Sequence, residues 1–541
     1  MKRISPLRHL VVFLVVSSLI LSFHEVGSAS PASTLSHLRP PVTRSLKNLQ
    51  KIFFSARDGG AVVNDLDKEK NPSEFRQQAL EEEMRRLTGP NRPSHLKFVV
   101  EDEKAMRLLG RKPLTIFPEG DLSKVRAALE GKRLLDLGGS GLLGSNLGRW
   151  LVSHAGEIRF AELTVHGLRK EGALARAREF RRILRAIPDA PKVVVRAVWG
   201  DLTKRDVREA ILRKAKPHII FHMAGFKFNS ALEKPEYQEM GADVELFSYV
   251  DFMPLAETMK FREGKYVWGV ERMIVVSSPK AVRPTTYYGK LKRLSELGVN
   301  AFRDSETTLF TAIRLPNVLG TPGSVYTNFE EQMGIQIPSG PDAGKYGPVQ
   351  IPNPYWFSRT RARYFVTNRE AVEAIVHTVV HGHHGEISYL RSGPPVEIST
   401  LAERMIQEDA RQTGKSLDDY VVQYEPIRFT KDVDDEMVPR EAAYADIRPH
   451  PDSPIVYLPP PSQLTRERFL DVFTPLQTSV KSWIQTSLAS EKDRAHGIVS
   501  MIKEAHLNIE PFAANRVNDG GRKETAPLLN RIERPVFLTF P

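Results

Sequence analysis

The chain has 541 residues, a formal net charge of +12 and no cysteine. Without thiols, disulfides, thiolate catalysis and cysteine–metal sites are excluded, and no metal site is expected. The basic excess suits anionic partners such as nucleotides, phosphates or a membrane surface. No nucleic-acid-binding module or stripe of basic and aromatic residues is present, so nucleic acid is not an expected partner. The length predicts roughly two to four domains.

Residues 1–29 have the pattern of a secretory signal or a short membrane anchor. Met1-Lys2-Arg3 is basic, and the apolar run from Leu10 to Phe23 is shorter than the about 20 residues of a typical transmembrane helix. Gly27-Ser28-Ala29 resembles a signal-peptidase site. The positive flank predicts export of the following chain, whereas the nucleotide chemistry predicted below is cytoplasmic. Both locations stay open, the cytoplasmic one with membrane association through the N-terminus.

Residues 30–130 form a predicted linker and helical extension. Residues 31–41 are rich in proline and serine. Asn71-Pro72-Ser73-Glu74 is a helix start, with Asn as N-cap, Pro in the first turn and Glu at the third position. The predicted helix ends near Leu87, before Gly89-Pro90.

From Gly131 the pattern changes to strands that alternate with helices. Such alternation predicts βαβ units and a parallel sheet. We therefore expect an α/β fold over residues 131–410, with a doubly wound, Rossmann-type parallel sheet, a smaller C-terminal substrate-binding part and helical extensions. The predicted strands are 133–137, 162–165, 193–198, 218–222, 273–276 and 310–315, and the predicted helices include 143–152 and 168–187.

The first strand ends in a glycine-rich turn, Gly138-Gly139-Ser140-Gly141-Leu142-Leu143-Gly144. Glycines after a strand and before a helix let the backbone approach a pyrophosphate at the helix N-terminus, so the turn predicts dinucleotide binding. Asp136 lies inside the preceding strand. A buried carboxylate there needs a partner, and the sequence does not name one.

The second strand ends without the acidic residue that usually binds the ribose of NAD. Instead Arg169 and Lys170 follow His166-Gly167-Leu168. A cation at this position accommodates a 2′-phosphate, so NADP is slightly favoured over NAD. The alternative is that both cations only begin the exposed face of the next helix.

The most informative stretch is 277–292, which follows an apolar strand and contains Tyr288-x-x-x-Lys292. On a helix this spacing puts a phenol and an ammonium on one face, and the ammonium is expected to lower the pKa of the phenol. Such a tyrosine can exchange a proton with a carbinol while a nicotinamide exchanges a hydride. An ordinary amphipathic helix face would also show this spacing, but the upstream Ser278 and the glycine turn favour the catalytic interpretation.

Several ordered blocks together resemble the extended short-chain dehydrogenases. Within them the chain resembles the polysaccharide-biosynthesis (CapD-like) family of UDP-N-acetylglucosamine 4,6-dehydratases and related epimerases. The similarity covers roughly residues 130–440. The blocks are Gly200-Asp201, Phe221 to Lys227, Ser277 to Lys292, Arg314 to Val325, Arg363 to Thr367 and Leu401 to Ile406.

The resemblance implies a role for each site residue. NADP or NAD is the implied cofactor, a UDP-sugar the implied substrate, and a homo-oligomer is expected. Catalysis is implied for Ser278, Lys280, Tyr288 and Lys292. Cofactor binding is implied for Gly138, Gly141, Leu142, Leu143, Gly144, Arg169, Asp201, Leu202, Ala224 and Lys292. Substrate binding is implied for Lys227, Asn317 and Arg363.

Two departures from the family pattern bear on the reaction. The family has Ser-Thr-Asp-Lys, in which the Asp helps to eliminate water, and here Pro279 stands at that place. The family's asparagine on the central helix falls near Ala242 or Asp243. Hydride transfer at the sugar C4 is expected to survive, whereas dehydration would need another acid, such as Glu233 or Asp243.

Two functions follow for the chain. The first is an NAD(P)-dependent enzyme of the UDP-N-acetylhexosamine dehydratase or epimerase type in surface polysaccharide biosynthesis. The second is a catalytically impaired relative that binds NADP or a nucleotide sugar as a regulatory or binding protein. Residues 411–541 are predicted as a partly helical C-terminal extension, with helices over 464–472 and 482–505, and the part from about residue 461 onward carries no interpretable motif.

Overall fold

The computed structural model describes residues 100–117, 121–187, 192–226, 229–352, 362–425, 448–486 and 491–513. The signal-like segment and the helix predicted from Asn71 lie outside these residues. Among the helices that are described, none combines the length and apolarity needed to cross a membrane.

Strands and helices alternate from residue 133 onward, as the sequence pattern predicted. The strands are β1 (Arg133–Leu137), β2 (Glu162–Gly167), β3 (Val194–Trp199), β4 (Ile219–His222), β5 (Lys260–Glu263), β6 (Tyr266–Gly269), β7 (Arg272–Ser277), β8 (Leu309–Arg314), β9 (Asn317–Val318), β10 (Tyr346–Pro352), β11 (Ala362–Arg363), β12 (Phe365–Val366), β13 (Ile387–Leu390), β14 (Val396–Glu397), β15 (Tyr420–Glu425), β16 (Arg448–Pro449) and β17 (Ile455–Leu458). The helices are α1 (Asp102–Leu109), α2 (Asp121–Leu129), α3 (Leu142–Ser153), α4 (Ala155–Ile158), α5 (Lys170–Ala186), α6 (Arg205–Ala215), α7 (Asn229–Leu232), α8 (Pro235–Ala242), α9 (Ser248–Thr258), α10 (Tyr287–Ala301), α11 (Val325–Met333), α12 (Asn368–His381), α13 (Ile398–Thr413), α14 (Arg466–Thr486) and α15 (Glu491–Ala513).

A nine-stranded sheet organises the fold, with the spatial order β16-β17-β13-β8-β7-β4-β1-β2-β3. Every neighbouring pair from β13 to β3 is parallel, and β17 and β16 add an antiparallel edge. The order reverses between β1 and β4, and ligands of such sheets bind in the crevice at the carboxyl ends of the strands beside this switch point. The predicted α/β, Rossmann-type class is therefore confirmed.

Helices cover both faces of the sheet, which explains why its central strands are apolar on both sides. One face packs against α6, α9 and α10, and the other against α2, α3, α5 and α12. A third apolar cluster joins α1, α11, α13 and β10. The six predicted strands begin and end within two residues of their predicted bounds, whereas the parallel strand β13 was not predicted.

The C-terminal helices differ from the prediction at their ends. α14 continues through Pro475, although an interior proline costs about 3 kcal/mol. Phe469, Phe473, Leu476 and Val480 recur at helical spacing and are all buried, and this apolar face outweighs the cost because it packs on the main core. The helix predicted over 482–505 is observed as the end of α14 and most of α15.

Candidate active site

The glycine turn after β1 is tightly constrained. Gly138 has φ of 98°, which favours glycine because a side chain would be strained there. A Cβ on Gly138 would lie 2.7 Å from the Ala224 nitrogen, and one on Gly144 would lie 2.6 Å from the Gly138 carbonyl oxygen. The turn therefore needs glycine at both positions. It presents the N-terminus of α3, which Leu142 and Leu143 begin, to an anionic group.

Asp136 lies beneath this turn and is completely buried. Neither of its carboxylate oxygens has a hydrogen-bond partner in the described part of the chain. Burial raises the pKa of Asp136 to about 8, although the positive charge of Arg176 opposes the shift. The carboxyl group is therefore protonated at neutral pH. A Cβ atom on Gly139 or on Gly144 would lie within 3 Å of an Asp136 carboxyl oxygen.

Near the end of β2, the strand after which many NAD enzymes carry a ribose-binding acid, lies the buried histidine His166. The Gly138 amide donates to His166 Nδ1 at 3.3 Å, and His166 Nε2 donates to the Gly200 carbonyl at 2.9 Å. Burial lowers the pKa of His166 to about 4, so the ring stays uncharged. Arg169 directly precedes α5 and is half-buried, while Lys170 is exposed.

The remaining predicted cofactor residues also follow the carboxyl ends of strands. Asp201 accepts hydrogen bonds from the Thr203 amide at 3.0 Å and from its hydroxyl at 2.8 Å, which closes a turn after β3. Leu202 is buried in this turn. Ala224, after β4, packs directly on Gly138. Their contacts with a cofactor stay a prediction.

The turn that carries Ser278 and Lys280 packs beside the helix that carries Tyr288 and Lys292. Ser278 caps the short turn Pro279–Ala281, with its Oγ accepting from the Lys280 amide at 3.4 Å. A Cβ on Gly289 would lie 2.6 Å from the Lys280 carbonyl oxygen, so this turn packs on the first turn of α10, next to Tyr288. Lys292 Nζ lies 5.9 Å from the centroid of the Tyr288 ring.

Glu245 is a site residue that sequence reasoning missed. Its Oε2 lies 2.7 Å from Lys292 Nζ, and the two side chains are 1% and 5% exposed. Lys292 also donates to the Val276 carbonyl and the Tyr249 hydroxyl, each at 3.2 Å. The other Glu245 oxygen accepts from the Phe226 amide. Glu245 lies in a π-helical segment, Asp243–Phe247, between α8 and α9, and such segments are frequent at functional sites.

This ion pair changes the expected acidity of Tyr288. Burial raises the pKa of the phenol well above its ordinary value, Lys292 opposes the rise, and Glu245 adds to it. Lys292 does lower the pKa of Tyr288, as predicted, but burial outweighs this effect, so the net shift is upward. For Lys292, burial lowers the pKa, but Glu245 and Tyr288 outweigh burial, so the ammonium is retained.

Contacts connect the catalytic group to the glycine turn. A Cβ on Gly225 would lie 2.7 Å from Glu245 Oε1. A series of direct contacts therefore runs from Gly138 through Ala224 and Gly225 to Glu245 and its partner Lys292. The two predicted motifs thus lie near each other at the carboxyl edge of the sheet.

Glu233, one of the alternative acids for dehydration, serves as a helix anchor. Its Oε1 accepts from the Tyr287 amide at 2.6 Å, at the start of α10. The Tyr287 hydroxyl donates to the Gln238 carbonyl at 2.8 Å. These bonds attach α10 to the segment around α8.

The predicted substrate residues have backbone partners. The amide and the side-chain Nδ2 of Asn317 both donate to the Tyr364 carbonyl at 3.0 Å, which supports the pairing of β9 with β12. Arg363 donates to the Ala362 carbonyl at 3.0 Å and is half-buried. Lys227 lies outside the described residues.

A buried ionic network, also missed from the sequence, joins the ends of β7 and β8 next to Ser278. Arg314 donates to both oxygens of Glu296, at 2.8 and 2.6 Å, and both side chains are buried. Ser277 donates to Glu296 at 2.7 Å. The network joins β7, β8 and α10. Its sequence signal is a polar residue at the end of each of two adjacent buried strands.

Comparison with known proteins places these features in a family. Residues 135–446 match the family described as "Polysaccharide biosynthesis protein". The chain is 26% identical over 337 residues to the probable polysaccharide biosynthesis protein EpsC of Bacillus subtilis, covering 61% of this chain and 47% of that protein. It is 26% identical over 348 residues to the capsular polysaccharide biosynthesis protein CapD of Staphylococcus aureus, covering 63% and 49% respectively.

The chain thus spans about half the length of these curated relatives. Among solved structures, Pen from Bacillus thuringiensis is similar, with a TM-score of 0.49 and 20% identity over 62% of this chain and 89% of that one. A dTDP-glucose 4,6-dehydratase, DesIV of Streptomyces venezuelae, has a TM-score of 0.42 and 17% identity over 57% of this chain and 88% of its own.

Proposed function

Because the chain belongs to the polysaccharide biosynthesis protein family, we propose that it is an NAD(P)-dependent enzyme that modifies a UDP-N-acetylhexosamine. The observation that carries this proposal is the approach of Tyr288 and Lys292 to the glycine turn through Glu245 and Gly225. A dinucleotide fits the turn because glycine leaves the backbone open to a pyrophosphate at the N-terminus of α3.

The chain's own residues would handle the proton of the sugar hydroxyl. A bound nicotinamide would supply the hydride exchange. The raised pKa keeps Tyr288 a neutral phenol at pH 7, so it is suited to donate a proton to a sugar carbonyl oxygen. Lys292 would support the phenolate that remains. In the reverse reaction, oxidation of the sugar hydroxyl, the hydroxyl proton would return to Tyr288.

The preferred cofactor is NADP. The support is the neutral His166 at the end of β2, followed by the guanidinium of Arg169 at the start of α5. A 2′-phosphate carries negative charge that a carboxylate at this position would repel and that a guanidinium would bind.

The product is proposed to keep its water. Dehydration needs an acid for the departing hydroxyl, and Pro279 offers none. Glu233 already accepts the Tyr287 amide. Oxidation at C4, or epimerisation after return of the hydride to the other face, needs only the proton chemistry of Tyr288.

The test is incubation of the purified protein with UDP-N-acetylglucosamine and NADP or NAD, followed by mass spectrometry and proton NMR. An epimer or a C4 ketone supports the proposal, with Tyr288→Phe as the inactive control. A product lighter by one water would contradict the proposed water retention. Absence of both cofactor binding and turnover would contradict the enzyme assignment.

A second candidate is a catalytically impaired relative that binds NADP or a nucleotide sugar. The ion pair of Glu245 with Lys292 favours it, because Glu245 opposes the phenolate that hydride transfer from the sugar requires. Calorimetric binding of cofactor and UDP-sugar without turnover by the same preparation would identify this case.

A further inference from the structure

Three histidine rings meet beside the antiparallel edge of the sheet. His377 and His381 lie one turn apart at the end of α12, and His450 directly follows β16. The ring centroids are 4.4 Å apart for His377 and His381, 4.7 Å for His377 and His450, and 4.5 Å for His381 and His450. One nitrogen from each ring lies within 4.8 Å of the other two.

The surroundings hold two of these rings in place. His377 is completely buried, and its Nδ1 lies 2.9 Å from the hydroxyl of Tyr457 on β17. An outer hydrogen bond of this kind is usual for a metal-binding imidazole, because it orients the ring. His450 is buried and accepts a long bond, 3.3 Å, from the Asp452 amide through Nδ1. A metal on Nδ1 would displace this bond, and a metal on Nε2 would put the ring proton on Nδ1, which could then no longer accept it.

The donor set selects the class of ion. Three imidazoles without a carboxylate suit zinc and similar borderline divalent metals, and are unsuited to magnesium or calcium, which prefer oxygen. The nearby charge of Arg448 is offset by Glu386, at 2.6 Å. Three protein nitrogens would leave a fourth position of a tetrahedral ion for water.

The required adjustment is small. Two nitrogens bound to zinc at about 2.0–2.1 Å can be no more than about 4.2 Å apart, and are about 3.4 Å apart in a tetrahedron. The rings must therefore move inward by about 1 Å from the observed limit of 4.8 Å. His381 is half-buried and is the last residue of α12.

We propose that His377, His381 and His450 form a zinc-class site that ties the β16–β17 hairpin to α12. The ion would connect residues far apart in sequence and stabilise the edge of the main sheet. The ion would act independently of the reaction at the carboxyl edge of the sheet.

The experiment uses the full chain, stripped of metal with a chelator and titrated with zinc chloride. We expect one zinc per chain by elemental analysis. We also expect Tm to rise by roughly 2–5 °C at a hundredfold excess over Kd. His381→Gln and His450→Gln should each weaken zinc binding at least tenfold and remove the rise in Tm. His383→Gln is the matched control, because the His383 side chain is 68% exposed in the same histidine-rich segment.

Three results would overturn the proposal. They are no retained zinc, no rise in Tm, or equal weakening by His383→Gln, which would indicate adventitious binding to surface histidines. If the His381 and His450 variants fail to fold, the cobalt-substituted wild-type chain decides. An intense visible absorption of tetrahedral cobalt supports the site, and the weak spectrum of hydrated cobalt rejects it.

Discussion

The buried pair of Lys292 and Glu245 yields a sharp thermodynamic prediction. Their charged atoms are 2.7 Å apart, and neither side chain is more than 5% exposed. Removing one member of such a pair leaves an uncompensated buried charge, which costs about 3–5 kcal/mol. We expect about 3 kcal/mol for Lys292→Met and for Glu245→Gln. We expect the lower end of this range because the remaining side chain keeps other hydrogen bonds. Glu245 still accepts from the Phe226 amide, and Lys292 still donates to the Tyr249 hydroxyl and the Val276 carbonyl.

The double variant distinguishes a true pair from two independent residues. With both charges removed, no buried ion is left, so the loss should be at most about 3 kcal/mol instead of doubling to about 6 kcal/mol. The coupling energy is then at least about 3 kcal/mol, at the upper end of the range for contacting residues. The exposed pair of Arg205 and Glu209, at 3.0 Å, is the control, and Arg205→Met should cost less than about 1 kcal/mol.

The assay is equilibrium unfolding in urea, followed by tryptophan fluorescence and far-ultraviolet circular dichroism. An unchanged m-value in all variants indicates that the unfolding reaction is the same. Losses that add within about 0.5 kcal/mol in the double variant would refute the reasoning. They would mean that Glu245 and Lys292 are each solvated or paired elsewhere.

Three further predictions concern the phenol, the cofactor and the buried carboxyl group. Tyr288→Phe should lower turnover about a hundredfold or more while leaving cofactor binding and Tm nearly unchanged, because only the proton-transferring hydroxyl is removed. Arg169→Ala should weaken NADP binding more than NAD binding in calorimetric titrations, because only NADP carries the 2′-phosphate. The unfolding free energy of the Asp136→Asn variant, relative to that of the wild type, should increase as pH rises. With the pKa of Asp136 at about 8, the folded wild type holds a proton that the unfolded chain releases. The stability of the wild type therefore falls as pH rises from about 4 to about 8. From pH 5 to 8 the difference in unfolding free energy should grow by about 4 kcal/mol.

Each of these has an opposing outcome. Activity of Tyr288→Phe within a few-fold of the wild type would remove Tyr288 from the proton transfer. An unchanged ratio of NADP to NAD affinity in Arg169→Ala would assign Arg169 to the helix surface, and Lys170→Ala is the control on the neighbouring exposed cation. A stability difference between Asp136→Asn and the wild type that is the same at pH 5 and pH 8 would show that Asp136 is ionised in the folded state.

Local sequence signals determined the architecture and the motif positions. Apolar runs of strand length, separated by helical segments, can bury both faces only in a parallel sheet, and β1, β4, β7 and β8 formed close to where these runs predicted them. The turn at Gly138 and the spacing of Tyr288 and Lys292 depend on a few adjacent residues. For that reason the sequence alone could place each of them after a predicted strand.

Tertiary structure alone decided the electrostatics of the site. Glu245 reaches Lys292 because a π-helical segment and α10 pack together, and no local pattern in either segment signals the contact. Burial, which the sequence could not measure, sets the acidity of Asp136 and Tyr288. His450 joins His377 and His381 only through the antiparallel pairing of β16 and β17 at the sheet edge. In each case long-range packing fixes the distance between charges and removes water from around them, and these two quantities decide pKa and ion binding.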